Sequence, residues 1–260
     1  PVGSLDRQDL YLLFATRRGL VKRTRLDQYK NVRNSGIRAI VLMEDDDLIG
    51  FRLAGEGSRV MMVTARGQSI VFHLEDARAT GRATRGVRGI RLRGEDVVVA
   101  MDVLDEHEQL EETEELAPVE EGAAGADEAA EAEADAEEVV EDAPEEDEDD
   151  SAAEEVDEDE GAPVPTVLLI TENGYGKRTP LHRFRLQRRG GLGLRALPYV
   201  ERNGELVDMA RVKKDQDLLV VTDGGTIIRL RVDSVNVYSR QAKGVKVINP
   251  SKGEKVVSDN

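Results

Sequence analysis

The chain has 260 residues, of which 34% are charged and 3% aromatic, with no cysteine and no tryptophan. Its formal charge is −17, but residues 105–161 hold 30 of the 53 acids and no Lys or Arg, which leaves the other 203 residues with 23 acids against all 36 bases, a net of +13. A basic protein interrupted by a 57-residue polyanion points to nucleic acid, or another polyanion, as its partner. The lack of cysteine excludes disulfides, thiolate metal sites and cysteine nucleophiles, and is compatible with a reducing cytoplasm. No run approaches the ~18–20 apolar residues that a bilayer span needs. The opening Pro1-Val2-Gly3-Ser4 carries neither an initiator Met nor a signal peptide, and reads as the start of a piece of a longer chain.

In chain order, an apolar run ending in Thr-x-x-Gly occurs four times. The runs 10–16, 60–64, 167–171 and 218–222 end at Thr16, Thr64, Thr171 and Thr222, and Gly19, Gly67, Gly174 and Gly225 follow. A second glycine comes 17 to 19 residues later, at Gly36, Gly86, Gly193 and Gly244; four residues beyond it stands Ile40, Ile90, Leu197 or Ile248. Each copy ends in a polar turn and an apolar pair: Asp46-Asp47-Leu48-Ile49, Glu95-Asp96-Val97-Val98, Gly204-Glu205-Leu206-Val207 and Glu254-Lys255-Val256-Val257. Gly19 to Gly67 spans 48 residues and Gly174 to Gly225 spans 51, while the 107 from Gly67 to Gly174 fall to 50 once the polyanion is set aside. The acidic segment therefore lies between repeats.

The short β-branched and Leu-rich runs, bounded by Gly, Asp and Asn, read as strands. Glu172-Asn173-Gly174 and Asp223-Gly224-Gly225 suit hairpin turns. Four strands in ~50 residues is the proportion of a propeller-type blade, and such a sheet buries its apolar face only by stacking on its neighbours. The expected fold is all-β: a propeller-like array of four four-stranded blades. Residues 1–104 form two of them and residues 162–260 the other two of the same domain. Residues 105–161, almost wholly Ala, Glu and Asp, have little to bury, which predicts disorder.

Basic residues recur at matched places. After the first turn come Lys22 and Arg23, Lys177 and Arg178, and Arg229; around the second glycine come Arg33 and Arg38, then Arg82, Arg85 and Arg88, then Arg188, Arg189 and Arg195, then Arg240, Lys243 and Lys246. Equivalent positions of successive blades form a basic stripe that suits a phosphate backbone. Neutralising ~8 phosphates would make log K fall with log salt at a slope near −7. The nine aromatics lie largely in strand-like runs, which disfavours a single-strand reader built on stacking and favours duplex DNA held and bent by its backbone.

Gln187-Arg188-Arg189-Gly190-Gly191-Leu192-Gly193 resembles the Gln-basic-Arg-Gly-Gly-basic-Gly box of the family of DNA gyrase A C-terminal domains. Asn173-Gly174-Tyr175-Gly176-Lys177-Arg178-Thr179 and Arg85-Gly86-Val87-Arg88-Gly89-Ile90-Arg91-Leu92 are similar to other segments of that domain, and the resemblance covers all four repeats. It implies a β-pinwheel, usually of six blades, that exchanges strands between blades. Such a domain wraps duplex DNA on a basic rim so that an ATP-dependent type II topoisomerase introduces negative supercoils. By that resemblance Gln187, Arg188, Arg189, Gly190, Gly191 and Gly193 form the wrapping box. The resemblance also implies that the partners are the rest of gyrase A, together with gyrase B, in an A2B2 assembly in the bacterial cytoplasm, at the nucleoid, with no membrane. ATP and Mg2+ would serve other domains, and this fragment would use no cofactor and cut no DNA. Two departures stand out: Leu192 replaces a basic residue, and the box sits in the third visible repeat. The rivals are the equivalent domain of topoisomerase IV, which wraps weakly, and a propeller that binds a protein partner.

Other patterns fail on context. Gly191-Leu-Gly-Leu-Arg-Ala196 matches a dinucleotide fingerprint without a following helix. His73, His107 and His182 lack metal-ligand spacing. The acidic segment has a sharper reading than a linker: thirty tethered negative charges compete with DNA for the basic surface.

Overall fold

The computed structural model describes residues 5, 7–32, 34–104, 165–198 and 200–258, all within one compact unit. Arg33 and the acidic segment 105–161, with its expected disorder, lie outside the described residues. The architecture is all-β as expected, and the strands run antiparallel within four sheets.

The first sheet holds β1 (Leu10–Thr16), β2 (Leu20–Arg25) and β3 (Leu48–Gly55) of the first repeat. The second holds β4 (Arg59–Thr64), β5 (Gln68–His73) and β7 (Val98–Leu104), and its repeat also contains the short β6 (Val87–Arg88). The third repeat supplies β8 (Thr166–Thr171), β9 (Tyr175–Pro180), β10 (Leu194–Arg195) and β11 (Leu206–Val212). The fourth supplies β12 (Asp217–Thr222), β13 (Ile227–Arg231), β14 (Val245–Lys246) and β15 (Val256–Val257). Sheet orders are β3-β1-β2-β6, β10-β5-β4-β7, β11-β8-β9-β14 and β13-β12-β15. The outer strand of each of the first three sheets is thus lent by the following repeat. The fourth sheet has three strands rather than the expected four, because no following repeat lends one to β13 among the described residues.

The Thr-x-x-Gly signature has a local cause. The Thr hydroxyl accepts the N–H four residues on, from Leu20 to Thr16 (3.2 Å), Gln68 to Thr64 (3.1 Å), Tyr175 to Thr171 (3.1 Å) and Thr226 to Thr222 (3.2 Å). The Thr carbonyl accepts the glycine N–H at 2.8–2.9 Å in all four copies, closing a hairpin in which Gly67 holds φ +79°, a region costly for residues with a Cβ.

The second glycine serves the loan. A Cβ on Gly193 would stand 2.4 Å from the Ser69 carbonyl oxygen of β5, and one on Gly86 would stand 2.5 Å from that of Val21 in β2. Only glycine lets the lent strand approach its host so closely.

Successive sheets pack face to face. Leu13, Ala15 and Val21 of the first sheet bury against Met62, Ile70, Phe72 and Ile90; Met61, Val63 and Val71 of the second bury against Val167, Leu169, Leu181 and Leu197. β4 and β8 are buried at every residue, which is why they read as continuous apolar runs rather than alternating ones.

Candidate nucleic-acid interface

In the second, third and fourth repeats, the segment that precedes the second glycine forms a loop seated on the previous repeat. In the third repeat this loop is the box. Gln187 N–H donates to the Val71 carbonyl at 2.7 Å, Gly190 N–H to that of Gly89 at 2.7 Å, and Arg91 N–H to that of Gly191 at 2.8 Å. Gly190 and Gly193 hold φ +81° and +79°, so both depend on glycine's freedom in the left-handed region. Gly191 does not have a positive φ, and a Cβ there would meet only ordinary contacts.

The two box arginines do different work. Arg189 is half-buried, and its Nε donates to the Asp76 carbonyl at 3.0 Å while its Nη1 donates to that of Arg88. Arg188 is exposed, with no hydrogen bond or ion pair among the described residues. The fourth repeat repeats the device: Arg240 Nη1 donates to the Arg195 carbonyl. In both repeats an arginine four residues before the second glycine grips the carbonyl of a basic residue two after the previous second glycine. Sequence reasoning missed this relay, although the equal spacings were its visible signal.

That gripped position is itself the most regular basic feature. Arg38, Arg88, Arg195 and Lys246 each stand two residues after a second glycine, and all four are exposed. On the lent strands they pair with equivalent host residues, Arg88 with Leu20, Arg195 with Gln68 and Lys246 with Tyr175. Lys246 Nζ lies 4.6 Å from the Tyr175 ring centroid and donates to the Asn173 carbonyl at 2.8 Å. Arg85 is exposed as well; Gln187, Arg82 and Lys243 are half-buried. Arg229 is exposed but ion-paired with Asp217. Arg23 stacks over Tyr11 at 4.6 Å, with Glu75 at 3.9 Å.

Three expected rim residues are not on the surface. Lys22, Lys177 and Arg178 are buried. Lys177 Nζ donates to the carbonyls of Ser239 (3.0 Å), Arg240 (2.6 Å) and Ala242 (2.8 Å); Lys22 Nζ donates to those of Ala39 and Arg82. Arg178 Nε donates to the Val235 carbonyl. The lent strand and its loop cover the host strand's outer edge, so these cations face protein rather than solvent. Burial pushes the Lys177 ammonium down to about 7 and that of Lys22 to about 8, with repulsion from Arg240 and Arg82 adding respectively. Among the described residues no three His, Asp or Glu side chains are grouped to hold a metal ion, and no helix is long and apolar enough to cross a membrane.

The four repeats match the family model "DNA gyrase C-terminal domain, beta-propeller" over residues 10–54, 58–105, 165–213 and 216–258. The DNA gyrase A of Deinococcus deserti is 36% identical over 259 residues, which is 99% of this chain and 25% of that protein. The gyrase A of a Synechocystis species is 35% identical over 241 residues, 92% of this chain and 25% of its own length. The chain therefore spans about a quarter of the length of the relatives it matches. In fold, it resembles a solved DNA gyrase A C-terminal domain (TM-score 0.68, 21% identity, 97% of this chain and 65% of that one). It also resembles the C-terminal domain of a DNA topoisomerase IV (TM-score 0.72, 18% identity, 99% and 63%). With the family model matching all four repeats, the chain belongs to the family of DNA gyrase C-terminal domains.

Proposed function

We propose that this chain binds duplex DNA along its outer loops and lent strands and bends it into a chiral wrap, without itself carrying catalytic residues. The observation that carries the reading is the exposed base repeated at Arg38, Arg88, Arg195 and Lys246, one per repeat. Bending 20–30 bp smoothly by 40–90° costs on the order of 1–6 kcal/mol, which a series of phosphate contacts can offset. Around that series lie the box residues Arg188 and Arg189 and the loop bases Arg82, Arg85, Arg240 and Lys243. In the longer protein, this wrap would present DNA to an ATP-dependent type II topoisomerase built from gyrase A and gyrase B, working on the chromosome in the cytoplasm and introducing negative supercoils.

The test is topological. A nicked plasmid is bound by the chain, religated and deproteinised, and its linking number is read. A protein-dependent shift, lost with Arg188→Ala and Arg189→Ala together, is the expected result; no duplex binding at low salt would refute the reading. A second reading, weak wrapping of the topoisomerase IV kind, rests on Leu192, an apolar residue 36% exposed where the box has a base. It predicts binding without a shift.

A further inference from the structure

Lys22 and Lys177 occupy the same place in their repeats, the third residue of β2 and of β9. They are 1% and 0% exposed, and their amines end among main-chain carbonyls. Those carbonyls belong chiefly to the loop of the following repeat: Arg82 for Lys22, and Ser239, Arg240 and Ala242 for Lys177. These loops turn carbonyls inward, where a buried acceptor needs a donor, while Arg85 stays exposed and Arg82, Arg240 and Lys243 half-buried, with Arg240 Nη1 on the Arg195 carbonyl. In the second and fourth repeats the same position is Ile70 and Ile228. The box loop, which lies over Ile70, is held instead by its own N–H groups and by Arg189.

We infer that Lys22 and Lys177 are positioning residues of the duplex interface: each holds the basic loop of the following repeat in its binding shape and touches no DNA itself. The inference rests on the wrapping reading. It assigns the loops of the second and fourth repeats a lysine anchor, and the box loop of the third an arginine one. Arg82 and Arg240 are near enough to repel the two amines, and each lysine holds the main-chain carbonyl of that same arginine.

The test uses Lys177→Ile and Lys22→Ile in the full chain, which copy the residue the fold already accepts at Ile70 and Ile228. Affinity for a labelled duplex is measured over a range of salt, with the circular dichroism spectrum and Tm recorded alongside. The expected result is a retained β spectrum, affinity lowered about three- to tenfold, and a slope of log K against log salt shallower by about one to two as bases leave their phosphates. Adding Lys177→Ile to Arg240→Ala with Lys243→Ala should change the slope no further, since both remove the same contacts. A merely destabilised protein would lose Tm and keep its slope. Should Lys177→Ile fail to fold, Lys22→Ile decides through Arg82 and Arg85. A folded variant with unaltered affinity and slope overturns the inference. If Arg88→Ala and Arg195→Ala also leave duplex binding untouched, the wrapping reading falls with it; if they weaken binding, the positioning role alone is wrong.

Discussion

The carbonyl oxygen of Gly67 accepts the N–H of Leu197 at 3.1 Å, tying the hairpin of the second repeat to the strand-lending segment of the third. Gly19 with Ile90 (3.3 Å) and Gly174 with Ile248 (3.2 Å) repeat the contact, and the residue before each partner donates to the same oxygen at 2.7–3.0 Å. The first glycine of one repeat and the apolar residue beyond the second glycine of the next are therefore a single joint. Each of the first three repeats is completed by its successor, so neighbours should unfold together.

This joint separates two glycines that look alike in the sequence. A Cβ on Gly67 would stand 2.1 Å from the Leu197 oxygen at φ +79°, whereas Gly225 has φ +81° and nothing within 4 Å. Gly225→Ala should cost only the left-handed strain, ~1–2 kcal/mol. Gly67→Ala must also break the joint and should cost more, about 3 kcal/mol or above. Denaturant unfolding of both variants checks this, and the reverse order would refute the assigned contact.

The two box arginines should part ways experimentally. Arg189→Ala removes two hydrogen bonds to carbonyls of the second repeat and should lower both stability, by ~1 kcal/mol, and duplex affinity. Arg188→Ala should leave Tm unchanged, weaken duplex binding, and make the salt slope shallower by about one. Thermal melts and salt titrations on the same preparations decide it.

The buried amines give a pH dependence with a definite sign. Lys177 drops to about 7 in the fold from an ordinary 10.5 in the unfolded chain, so between those values the unfolded state binds the extra proton. Stability contributed through Lys177 should rise with pH across that window, and through Lys22 from about 8 upward. Unfolding at pH 6.5 and 9 compared with Lys177→Ile should show a steeper gain in the native chain; equal pH profiles would place the amine's titration elsewhere.

Removing residues 105–161 deletes 30 acids and no Lys or Arg. If these acids compete for the basic loops, the shortened chain should bind duplex more tightly at low salt. The two proteins should converge as the Debye length shrinks to ~3 Å at 1 M salt. Equal affinity across the whole salt range would leave the segment without that role.

Four repeats, an all-β character and the positions of the turns can be read from the residues alone. The signals are local: Thr16 and Gly19 bond within one hairpin, and the buried strands β4 and β8 are continuous apolar runs. The turns of the Gln187–Gly193 loop were legible too, because Gly190 and Gly193 hold the left-handed conformation it requires. Which repeat each lent segment completes emerges only in the folded chain, since a lent strand of two residues, such as Val87–Arg88, carries too little pattern to name its host. That same loan settled the fate of Lys22, Lys177 and Arg178. A lysine in a half-polar strand reads as a surface charge until a segment about 60 residues away folds over it, as Arg82 does over Lys22. Burial depends on what covers a strand, and here the cover comes from the next repeat.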